Sequence, residues 1–170
     1  MSPKHSLFLS LGSILALVVG LAGCGRSDES ATQGAASNED KDGHHAHVAP
    51  HGGTLIEIGD HMFALELVHD AEEGRLTAYV LDAHAEKFVR IPAEGFEIVA
   101  LVAGRRESLP MAAVANPVTG ETIGDTSEFT GAAKWLKGKV AVDALIPALE
   151  IRGTAFKDIR FAFRSPAPAR

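Results

Sequence analysis

From Thr54 onward, short apolar runs alternate with turn-forming residues. Thr54-Leu55-Ile56-Glu57-Ile58 is the first run, and Gly59-Asp60 after it reads as a two-residue hairpin turn. His61 to Val68 alternates. Phe63, Leu65 and Leu67 share one face, while Met62, Ala64, Glu66 and Val68 share the other, which is the period of a half-buried strand. Asp70 to Gly74 reads as a longer turn. Leu76–Leu81, Phe88–Ile91, Phe96–Val102 and Glu107–Ala115 follow as strands three to six. Thr130–Lys137 reads as one helical turn. Val140–Ile151 and Ala155–Phe163 form two long strands joined at Arg152-Gly153-Thr154. Eight short strands at hairpin spacing predict an all-β domain over residues 50–165, a small antiparallel immunoglobulin-like β-sandwich. The sequence contains no internal repeat.

The first 49 residues have a different texture. Lys4 and the α-amino group precede an apolar run from Leu7 to Leu21 that ends in Leu21-Ala22-Gly23-Cys24. The run is short for a spanning helix and gives way quickly to polar residues. Residues 1–23 read as a signal peptide. The four residues at its end resemble the lipobox of bacterial lipoproteins, in which the cysteine, here Cys24, is lipidated and becomes the first residue of the mature chain. Gly25 rather than an acidic residue follows, which by the same resemblance favours the outer membrane in a cell with two. Residues 25–43, GRSDESATQGAASNEDKDG, hold no aromatic or branched aliphatic side chain and cannot bury enough surface to offset the entropy of ordering. Together with the histidine-rich end they form a linker, residues 24–49. A coil of about 19 residues spans roughly 25 Å. Cys24 is the sole cysteine, so the exported domain carries neither a disulfide nor a thiolate metal site. The formal charge of -6 argues against nucleic acid or an anionic membrane surface as partner.

Histidines are the conspicuous chemistry. His44, His45, His47 and His51, half of the chain's eight, fall within eight positions. A turn at Gly59-Asp60 makes paired residue numbers sum to about 119. That sets His51 opposite Val68 and beside His69, with His47 within reach. A second turn near residue 72 sets His61 near His84. His61 and His69 cannot share an ion, because eight residues of strand separate them by roughly 26 Å. Two clusters are therefore expected: His51, His69 and the lead-in histidines at one end, and His61 with His84 at the other. Imidazole suits copper, zinc and nickel. It binds them as the neutral base, so affinity falls as pH drops below about 6.5. The bland reading is that these histidines are linker, turn and core-edge residues that satisfy backbone groups.

Pro50-His51-Gly52-Gly53-Thr54, the strand Phe63-Ala64-Leu65-Glu66-Leu67 and the segment Leu76 to Asp82 occur in an order that resembles an N-terminal module of periplasmic adaptor subunits of heavy-metal efflux pumps, and small stand-alone lipoproteins with the same arrangement. The resemblance covers residues 50–91. It implies a β-sandwich in the cell envelope, transition-metal ions as ligand and an efflux-complex protein as partner. The helical hairpin, lipoyl-like and barrel segments of an adaptor have no counterpart in the 170 residues, so the expectation is a metal-handling or docking module. Catalysis is not expected. There is no GxSxG elbow, no Gly-rich phosphate loop and no HExxH, and Ser108 and Ser127 have no recognisable base in sequence. Two functions remain: an envelope lipoprotein that binds metal through His44, His45, His47, His51 and His69, or a structural lipoprotein that docks another envelope component.

Overall fold

The computed structural model describes residues 47–165. The expected signal peptide, Cys24, His44 and His45 lie outside the described residues. Eight strands run in chain order: β1 (Thr54–Ile58), β2 (Phe63–Asp70), β3 (Arg75–Asp82), β4 (Gly95–Val102), β5 (Arg105–Ala113), β6 (Glu128–Ala132), β7 (Ala141–Ile151) and β8 (Thr154–Arg164). Among the described residues a single 3-10 turn, Lys134–Leu136, interrupts them. The all-β antiparallel class is the one the hydrophobic alternation predicts. All eight strands belong to one sheet in the order β1-β2-β3-β6-β5-β4-β7-β8. Each of β3 and β7 is joined to the β4-β5-β6 meander by a long crossover and lies at one of its edges. The result is two overlapping Greek keys, folded over one core in the manner of a sandwich or barrel.

The core follows from the period-2 pattern. Ile56 and Ile58 of β1, Phe63, Leu65 and Leu67 of β2, Leu76, Ala78 and Val80 of β3, and Phe129 of β6 point inward, against Ile98, Leu109, Met111, Val142 and Ile146 from the other half of the sheet. Two elements differ from expectation. Phe88 and Ile91 form only isolated bridges, to Leu81 and Thr126, so the short fourth strand is a loop that touches the sheet twice. The eighth strand is instead Glu128–Ala132, whose threonine and glycine masked its alternation.

The β7-β8 hairpin bends the sheet. Ile146 and Leu149 are both buried although three positions separate them, and on the partner strand Ile159 and Phe156 face the same way. Pro147, which has no N–H to give the ladder, stands opposite Asp158, whose φ of 52° is left-handed. The pleat turns over at this corner. Beyond it, the tip of the hairpin reaches the other end of the sheet, where the Phe156 and Phe63 rings meet edge to face at 6.0 Å. Phe156 also seats against Gly59, where any Cβ would overlap its ring. The first and last strands thus come together without a ladder between them.

Candidate functional site

β2 is buried on both faces, with every residue from Phe63 to Leu67 shielded from solvent. Its inner face meets the core. Its outer face is covered by the segment preceding β1 and by the loop after β3. Ala64, Leu81 and Ala85 form a small second core there with Leu55. In the middle of this covered face lies Glu66, a carboxylate with no solvent exposure.

Three donors from the segment before β1 satisfy it. The backbone N–H groups of His51 and Gly53 donate to Oε1 at 2.8 and 2.9 Å, and His51 Nδ1 lies 2.9 Å from Oε2. A turn from Ala49 to Gly52, closed by a 3.1 Å bond from the Gly52 N–H to the Ala49 carbonyl, aims these donors. Position 53 admits no side chain, since a Cβ would lie 2.5 Å from the Leu67 carbonyl oxygen. A buried carboxylate without partners would cost several kcal/mol, so this cluster of bonds decides where residues 49–53 lie. With Nδ1–H given to Glu66, Nε2 of His51 keeps its lone pair, the arrangement in which a carboxylate orients an imidazole toward a ligand. The ring stacks on Tyr79 at 4.0 Å and 21°, with Phe88 at 5.7 Å. Burial raises the Tyr79 pKa above its ordinary value, and the negative charges of Glu128 and Glu66 raise it further, so the phenol stays protonated.

Beside this latch the outer face opens into a groove of about 460 Å³. His47, Glu57, His61 and His84 line it, over a floor that includes Leu55 and Ala64. The rings of His47 and His84 stand 5.6 Å apart, edge to face. His61 is held in a left-handed conformation, φ 61°, by its N–H donating to Glu57 Oε1 at 2.8 Å, and its Nδ1 lies 3.3 Å from Glu57 Oε2. The turn carrying His84 is organised by Asp82, whose carboxylate accepts the N–H groups of Glu86 and Lys87 at 2.9 and 3.2 Å. Burial pushes the Asp82 pKa up, but backbone hydrogen bonds from Glu86, Lys87 and His84 and the Lys87 charge outweigh it, and the net shift is downward. A second groove, of about 480 Å³, crosses the outer face of β4 and β7 between Leu101, Arg106, Asp143 and Arg160. It offers no imidazole, and Arg164 lies 3.6 Å from Asp143.

The expected partnership of His51 and His69 does not form. The first turn spans four residues, with Ile58 opposite Phe63, so paired numbers sum to 121 rather than 119. The ladder starts at Thr54, and His51 folds back over Glu66 instead of extending β1. Parity then separates the two rings. Glu66 points outward, whereas His69 continues the inward row of Leu65 and Leu67. Its Nε2 lies 2.6 Å from the Leu136 carbonyl, its Nδ1 lies 2.9 Å from Ser165 Oγ, and its ring meets Phe163. His69 ties the end of β2 to the C-terminal end of β8 and to the 3-10 turn. The second hairpin departs from expectation by one residue, Phe63 opposite Asp82, and His61 and His84 do line a common groove. His47 belongs with them and not with His69.

Four of the five described histidines, His47, His51, His61 and His84, therefore lie on the outer face of β1-β2-β3. As placed, no three His, Cys, Asp or Glu side chains among the described residues are grouped to hold one metal ion. Glu66 was hidden in the sequence because it falls on the face that alternation assigns to solvent. The available signal was Pro50-His51-Gly52-Gly53: a folded turn outside the ladder leaves N–H groups that need an acceptor, and Glu66 stands at the matching position of β2. The chain matches no family model, and neither curated proteins nor solved structures yield a match.

Proposed function

We propose that the protein is a non-catalytic cell-envelope lipoprotein, anchored through Cys24, that binds a transition-metal ion of the copper or zinc class through imidazoles on the outer face of β1-β2-β3, and so buffers metal or passes it to efflux machinery. The observation that carries this reading is the gathering of His47, His61 and His84 around one groove, with the first and last in ring contact. The surroundings suit a cation. Residues 54–90 hold eight Asp and Glu against three Lys and Arg. Imidazoles backed by carboxylates, as His51 is by Glu66 and His61 by Glu57, are the donors such ions favour. The resemblance of residues 50–91 to modules of heavy-metal efflux adaptors points the same way.

Calorimetric titration of the full chain in detergent with Cu(II) and with Zn(II) tests the proposal. One saturable equivalent is expected, weakening as the pH is lowered through the imidazole range. A chain that takes up neither ion leaves the docking alternative. In cells, Cys24→Ser is expected to move the protein from the membrane to the soluble fraction; retention in the membrane would remove the lipid anchor from the proposal.

A further inference from the structure

We infer that His47 and His84 are the founding ligands of a single-ion site completed by His61, and that Glu66 is the positioning residue that delivers His47 to it. This rests on the metal-binding reading above and locates it. Two imidazoles on one ion, with metal–nitrogen bonds of about 2.0–2.1 Å at a tetrahedral angle, have ring centroids about 5 Å apart. His47 and His84 stand at 5.6 Å with their rings inclined by 63°.

Each of the two is held by its own device. His84 sits on the turn whose backbone donors Asp82 collects, next to Ala85, which is buried at φ 57° and donates its N–H to the Asp82 carbonyl at 3.1 Å. His47 comes from a segment with no ladder of its own. What fixes that segment is the set of three bonds to Glu66, four to six residues further on. Release of the latch would detach His47 from the groove while leaving β1, β2 and β3 paired. His61 lines the same groove. Its Nδ1 faces Glu57, so Nε2 is the nitrogen a metal would take, with Glu57 as the carboxylate behind it. Its ring must swing toward the other two, because the three are not within ligating distance as placed. An ion would therefore draw the lead-in segment, the first turn and the loop after β3 together. By linkage, a ligand that binds the latched form stabilises the latch.

The test uses the full chain in detergent, with Zn(II) titrated against a chromophoric chelator and amide exchange followed at residues 51–54. His84 is exposed on a turn, so His84→Ala retains the fold and decides the assignment. It is expected to weaken Zn(II) at least about tenfold, and His61→Ala to do likewise, whereas His69→Ala, on the opposite face, leaves affinity unchanged. Zn(II) is expected to slow exchange of the His51 and Gly53 amides in the wild type and not in His84→Ala. Glu66→Gln, checked for folding by its thermal transition, is expected to lose about 10–100-fold in affinity and to exchange those amides freely. If the wild type binds Zn(II) and His84→Ala binds it equally well, the site assignment falls while metal binding stands, carried by other histidines. If Glu66→Gln is folded and binds as the wild type does, its positioning role falls. If the wild type takes up no ion, the function and the site fall together.

Discussion

Two buried carboxylates show how single residues organise this chain. Glu66 gathers the segment before β1, and Glu121 does the same for the long connection between β5 and β6. Glu121 Oε1 accepts the N–H and the hydroxyl of Ser127 at 2.9 and 2.6 Å, and Oε2 accepts the Thr119 hydroxyl at 2.6 Å. Arg90 approaches to 3.8 Å. Burial raises the Glu121 pKa, but these hydrogen bonds and the Arg90 charge together outweigh it, and the pKa lies below the ordinary 4.5. A carboxyl whose pKa falls on folding contributes stability above its unfolded value, and that stability is lost as pH drops through the folded one. Glu121→Gln is thus expected to cost about 1–3 kcal/mol at neutral pH, from the weakened bonds to a charged acceptor. The gap between variant and wild type should close well below pH 4.5. Denaturant titrations at the two pH values measure it. A gap that persists in acid would place the loss in packing and not in the charge.

Strands and their turns were largely legible in the sequence, because alternation and turn chemistry are local. β2, β3, β4, β7 and β8 follow runs that period-2 patterning marks. What local pattern could not supply was the length of a turn. Gly59-Asp60 carries the signal of a two-residue hairpin, yet Gly59, Asp60 and His61 all adopt positive φ and the loop takes four residues. That shift of two, set by Glu57 holding the His61 N–H, is one reason His51 misses His69; the other is the buried Glu66, a contact fifteen residues away that no periodicity reports. The β4-β5 hairpin has the tight turn instead. Val102 pairs with Arg105 around Ala103 and Gly104, both at positive φ, 48° and 79°. Such a turn matches strand twist and favours asparagine at its first position, whereas alanine is strained there by about 1 kcal/mol. Ala103→Asn is therefore expected to stabilise the protein by about 0.5–1 kcal/mol, read as a higher denaturation midpoint at unchanged slope. No gain would mean that the exposed turn relaxes its strain in another way.

The whole molecule depends on bringing the two ends of one sheet together. The corner at Pro147 and Asp158 carries the β7-β8 tip across to the β1-β2 turn, and Phe156 is the side chain that arrives there. The site proposed for metal lies beside this closure, since Phe63, which Phe156 meets, also borders the groove of His47 and His84. Gly59 bears two separate demands. Its φ of 66° disfavours any side chain, and the Phe156 ring occupies the space a Cβ would need. The two can be separated by a double-mutant cycle. Gly59→Ala in the wild type should cost the backbone term of about 1–2 kcal/mol together with a steric term of similar size. In a Phe156→Ala background only the backbone term remains, so the two substitutions should couple by about 1 kcal/mol or more, measured from four denaturant midpoints. Additivity would mean that Phe156 does not rest on Gly59 in solution. The sheet would then be open along the seam between β1 and β8, leaving both edge strands with unpaired backbone groups exposed to other chains.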